Sequence, residues 1–67
     1  MYIQDKTFDY SALYLNLISQ IGYNVYSGYP YGNVIVKPGN TLKIITDYNV
    51  TIKNGFECEK GAVLEIK

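Results

Sequence analysis

Beyond Gly32, apolar side chains recur at every second position. Val34/Val36, Leu42/Ile44, Val50/Ile52, Phe56/Cys58 and Leu64/Ile66 make five such pairs. Polar Lys43, Thr51, Glu57 and Glu65 stand between the members of four of them. A period of two marks a strand with one buried face. The ten paired residues are therefore the expected core, and the residues between them are expected in water. Glycine corners separate the strands. Pro38-Gly39 suits a type II turn, in which the glycine takes positive φ. Asn54-Gly55 suits a type I′ turn, and Lys60-Gly61 is a third, weaker turn signal.

The pairs belong to repeated phrases. Val34-Ile-Val-Lys-Pro-Gly39 and Val50-Thr-Ile-Lys-Asn-Gly55 are alike and sixteen residues apart. Gly39-Asn-Thr-Leu-Lys-Ile44 matches Gly61-Ala-Val-Leu-Glu-Ile66, with Gly55-Phe-Glu-Cys-Glu-Lys60 a looser copy. Each unit reads strand, glycine turn, strand. Two such units over 32–67 suggest an all-β chain, either the rungs of a small β-solenoid-like stack or an ordinary meander. Periodicity alone leaves both open.

The first half is different. It is rich in Tyr and Leu and free of charge between Ser11 and Tyr31. In Asp9–Ile21, residues Tyr10, Leu13, Tyr14, Leu17, Ile18 and Ile21 share one face at helical spacing, while Leu13, Leu15 and Leu17 alternate as a strand would. Residues 23–31 hold Tyr23, Tyr26, Tyr29 and Tyr31 around Gly28 and Pro30. Tyrosine has an apolar body and a polar tip, which suits a half-wet boundary. An open solenoid end needs covering, so residues 1–31 are the expected N-terminal cap or first rung. The tyrosines are the expected interaction surface: a lid, a protein interface or a platform for sugar rings.

Composition narrows the function. At 67 residues the chain is one small domain, and 48% hydrophobic content supports a small core. Net charge is zero, which argues against nucleic acid as a partner. No long apolar run suggests membrane insertion. The start, MYIQDK, does not read as a signal peptide, so the chain reads as cytoplasmic or as a piece of a longer one. There is one cysteine and no histidine. A metal site needs more ligands than one thiol, and a catalytic cysteine wants an imidazole. Glu57, Glu59 and Glu65 lie among lysines and read as a solvated face. Asn49-Val-Thr51 fits a glycosylation triplet that chance often produces. No catalytic residue, cofactor or metal is expected.

Residues 32–66 resemble the three-coathanger-stack family, small β modules of large secreted Bacteroidetes proteins. Gly32, Val34, Val36, Gly39, Leu42, Ile44, Val50, Ile52, Lys53, Gly55, Phe56, Gly61 and Leu64 fall on its pattern without a gap, and its core K-x-G-F-x-small-x-x-G is present as Lys53–Gly61. Asp47 and Asn54 depart from it, at positions where glycine and proline are common. Residues 1–31 match poorly. The resemblance implies strands rather than a helix over 9–21. It also places Cys58 where the family carries alanine, an inward-facing small residue expected to be buried. It implies a non-catalytic structural or interaction module, a spacer or docking unit of a larger secreted or cell-surface protein. Its partners would be proteins, through self-association or neighbouring domains. The alternative is a carbohydrate- or peptide-binding module that uses exposed tyrosines.

Overall fold

The computed structural model describes residues 1–15 and 18–67 and contains no helix among them. Nine short strands follow one another: β1 (Tyr2–Ile3), β2 (Lys6–Phe8), β3 (Ala12–Leu15), β4 (Gln20–Ile21), β5 (Val34–Val36), β6 (Thr41–Ile45), β7 (Thr51–Ile52), β8 (Phe56–Cys58) and β9 (Val63–Ile66). Every third strand pairs in parallel, giving three sheets ordered β1-β4-β7, β2-β5-β8 and β3-β6-β9. The chain therefore winds through three sides and returns one strand spacing away. It makes three rungs of a small solenoid-like stack. Its shortest dimension, 16 Å, fits three rungs spaced by about 4.8 Å plus side chains. The expected strand over 9–21 is present as β3 and β4; Leu17 lies outside the described residues.

Ladder register lines the apolar residues up in columns. Ile3, Ile21 and Ile52 form one column. Phe8, Val36 and Cys58 form a second, and Lys6, Val34 and Phe56 a third. Ala12, Leu42 and Leu64 stack in β3, β6 and β9, as do Tyr14, Ile44 and Ile66. The middle rung is sealed from both sides, so Ile21, Val34, Val36, Leu42 and Ile44 are fully buried. Lys43 and Glu65, expected in water, point outward and pair across the rungs at 3.7 Å.

Two sequence readings need correction. The sixteen-residue phrase is not the rung. Val34 pairs with Phe56, not Val50, and Leu42 pairs with Leu64, a spacing of twenty-two. The sixteen-residue echo compares strand β5 and its corner with strand β7 and its corner, on different sides of the stack. Asn54-Gly55 is not a type I′ turn either. Asp5 is the one described non-glycine residue with positive φ, so Asn54 lacks it. Gly39, Gly55 and Gly61 share one geometry, with φ of 83°, 94° and 91°. Gly39 N–H donates to the Gly61 carbonyl at 2.9 Å, so successive corners stack as the strands do.

Candidate functional site

The two ends of the stack are unlike. At the first end Ile3, Phe8 and Ile18 are buried. Tyr10 and Tyr14 meet the Phe8 ring edge-on, with centroids 5.9 and 6.3 Å away. Lys6 continues the column of Val34 and Phe56, but its ammonium bends over the Phe8 and Tyr10 rings at 5.4 and 5.6 Å. A hydrogen bond with Tyr10 holds that ammonium above the ordinary lysine pKa. The terminal rung thus ends in aromatic edges and a charge.

At the other end the columns simply stop. Ile52 is 44% exposed and Ile66 40%, while Phe56 and Leu64 are half-buried. Cys58 is exposed. This corrects the expectation of a buried thiol, and of full burial for Ile52 and Ile66. Their register is that of the core, since Cys58 pairs with buried Val36, Ile52 with Ile21 and Ile66 with Ile44. A third rung has a neighbour on one side only, so inward orientation no longer means burial. Val50, Phe56 and Leu64 pack against the core from its margin. No pattern of alternation within one rung signals whether another rung lies beneath it.

The tyrosines occupy a corner. In the first rung Ile3 precedes Lys6 by three positions, and in the third Ile52 precedes Phe56 by four. In the second rung Ile21 precedes Val34 by thirteen. The corner of the middle rung thus carries nine or ten extra residues, and these hold Tyr23, Tyr26, Tyr29 and Tyr31. Tyr23 N–H donates to the Asn54 carbonyl and Gly32 N–H to the Tyr23 carbonyl, which closes the loop on the stack. Gln4 clamps it: its Nε2 donates to the carbonyls of Tyr26, Tyr29 and Pro30 at 2.8, 3.2 and 3.0 Å, and its Oε1 accepts from Tyr26 N–H at 2.9 Å. Sequence reading missed Gln4, because only the fold brings it to the loop.

The loop does not bury its rings. Its four rings are all exposed, Tyr29 to 69%. Tyr26 stacks on Tyr2 with centroids 5.4 Å apart and planes 16° apart, and tilts against Tyr29 at 5.3 Å. Tyr23 meets Tyr31 at 6.0 Å. Between loop and first rung lies a cleft of about 530 Å³, lined by Met1, Tyr2, Gln4, Asp5, Tyr26, Tyr29 and Pro30.

Among the described residues no group of His, Cys, Asp and Glu is arranged to hold a metal ion. No helix among them is long and apolar enough to cross a membrane. No protein-family model matches the chain, and neither curated proteins nor solved structures give a significant match.

Proposed function

We propose that this chain is a non-catalytic structural and interaction module that docks a polypeptide on its open third rung. The observation that carries this is the uncovered row Ile52, Phe56, Cys58, Leu64 and Ile66, which continues the core columns to an edge. That edge also bears the unpaired N–H and C=O groups of β7, β8 and β9, which have strand neighbours on one side only. Another strand-forming chain satisfies both the backbone groups and the apolar surface. The charged residues Lys53, Glu57, Lys60 and Lys67 of the same rung are exposed and mixed in sign, a rim suited to a protein partner. The resemblance of residues 32–66 to coathanger-stack modules supports the same reading, and extends it to a docking or spacer unit of a secreted or cell-surface bacterial protein.

For the chain alone, the available partner is a second copy. The first end is closed by Lys6, Tyr10 and Tyr14, which disfavours head-to-tail stacking. Open end against open end is self-complementary and stops at two. Sedimentation equilibrium tests this. Association that saturates at a dimer, and that Ile52→Lys with Ile66→Lys abolishes while the fold is retained, is the expected result. A monomer at all concentrations, or a dimer indifferent to both substitutions, overturns it.

A second reading, binding at the exposed tyrosines, is favoured by one observation of its own. Gln4 spends its whole amide on fixing the loop that carries them.

A further inference from the structure

We infer that the cleft of Tyr2, Tyr26 and Tyr29 takes an extended, proline-flanked peptide segment bearing an arginine, whose guanidinium lies on the tyrosine rings beside Asp5. Three observations lead there, and none involves the open rung. The first is the set of rings. Tyr2, Tyr26 and Tyr29 are exposed, Tyr26 stacks on Tyr2 and tilts against Tyr29, and Pro30 adds an apolar surface. Such rings offer faces to a cation or to proline and methylene groups at low entropic cost.

The second is what the cleft lacks. The carbonyls of Tyr26, Tyr29 and Pro30 already accept from Gln4, and the Gln4 oxygen already accepts from Tyr26 N–H. An added strand would have to share those carbonyls with Gln4 and would find the Tyr26 N–H taken. Most of the wall's surface is apolar, so contact with the rings carries most of the binding. A polyproline II segment has no internal hydrogen bonds and binds aromatic grooves through its rings, so it asks least of such a wall.

The third is Asp5. Its carboxylate makes no ion pair among the described residues, while Lys37, Lys43 and Lys67 are paired elsewhere and Lys6 is turned to Phe8. Asp5 is fixed at a corner with φ of 52°, and its N–H donates to the Gly32 carbonyl at 2.9 Å. A Cβ at Gly32 would overlap that carboxylate, so the glycine leaves room for the negative charge.

The probe is the blocked peptide Ac-Pro-Pro-Arg-Pro-Pro-NH2, titrated into the full chain and followed by tyrosine ring resonances. Its citrulline analogue keeps shape and removes charge. Saturable shifts confined to Tyr2, Tyr26 and Tyr29 are expected, with the citrulline peptide weaker by about fivefold, the factor for roughly 1 kcal/mol of cation–π attraction. Asp5→Asn should weaken the arginine peptide and not the citrulline one; asparagine tolerates positive φ, so the fold stays intact. Tyr26→Ser should abolish both. Equal binding of the two peptides, no binding of either, or shifts produced only by an oligosaccharide such as cellotetraose would overturn the inference.

Discussion

The first and third rungs have the same register and opposite fates. Both supply one strand to each sheet, and both have a neighbour on one side only. Yet Phe8 in the first rung has no exposed surface, whereas Cys58, two positions down the same column, is exposed. The difference comes from the side chains that each terminal rung carries at its margin. The first rung ends in a large ring with Tyr10 and Tyr14 set edge-on around it, and with a lysine where the apolar column would continue. Inward or bending charge is a known guard against edge pairing. The third rung ends in small and branched apolar side chains, with no ring beyond Phe56 and no inward charge. One end is finished and the other is a cross-section of the core.

The sharpest way to break this comparison is to remove one ring from each end. Phe8→Ala empties a fully buried site and should cost about 3–5 kcal/mol, most of the stability of so small a domain. Phe56→Ala removes a half-buried ring and should cost about 1–2 kcal/mol in the monomer. Urea unfolding of dilute protein measures both. Equal costs would mean that the third rung is covered in solution, and the contrast between the ends would be lost.

Next in size is the corner that ties the open rung to the tyrosine loop. Gly55 has φ of 94°, and a Cβ there would overlap Tyr23. Gly39 has φ of 83° with open space around it. Gly39→Ala should therefore cost only the backbone strain, about 1 kcal/mol. Gly55→Ala should cost about 2–3 kcal/mol, since the loop must also give way. Melting curves of the two variants decide it. Similar melting points would show that the loop is not braced on the third rung.

These pairs show which features were legible in the chain. Alternation at Val34/Val36 and Leu42/Ile44 gave orientation correctly, because orientation depends only on strand geometry. It gave burial correctly only in the middle rung, because burial depends on what lies above and below. Cys58 and Ile52 were placed on the right face and in the wrong environment for that reason. The two repeated phrases could be ranked only by the fold: a corner repeats on every side of a three-sided stack, so the sixteen-residue echo looked like a rung. The tyrosine loop was legible as a departure from the strand pattern. Its clamp was not, since Gln4 and Tyr26 are twenty-two residues apart and meet only at a corner.

Cys58 reports on the open end with a smaller energetic effect. Cys58→Ala removes an exposed thiol and should change stability by less than about 0.5 kcal/mol. The informative quantity is rate. In dilute monomer the thiol should react with a disulfide reagent almost as fast as in urea, because access limits a buried thiol and not this one. Raising the protein concentration into the range where dimers form should slow the native reaction. Slow modification of the dilute native chain would show the end to be closed and would remove the basis for docking there.

The smallest effect lies on the outer surface, where the third rung is held to the second by charge. Lys67 Nζ lies 2.9 Å from Glu65 Oε1, and Lys43 Nζ is 3.7 Å from the same oxygen. The hydrogen bond from Lys67, helped by the charge of Lys43, lowers the Glu65 pKa below its ordinary 4.5. A carboxylate with a depressed folded-state pKa stabilises the fold above its unfolded pKa, and the contribution is lost as pH falls through the folded value. The group and its partners are exposed, so the effect is slight and screened by salt. Glu65→Gln should therefore melt slightly below the native chain at pH 7 in low salt. The gap should shrink as pH drops below about 4.5 and vanish in about 1 M salt, where the Debye length is about 3 Å. A gap of constant size across that pH range would assign the loss to packing of the Glu65 stem. The open rung would then owe nothing to this ion pair for its attachment to the closed part of the stack.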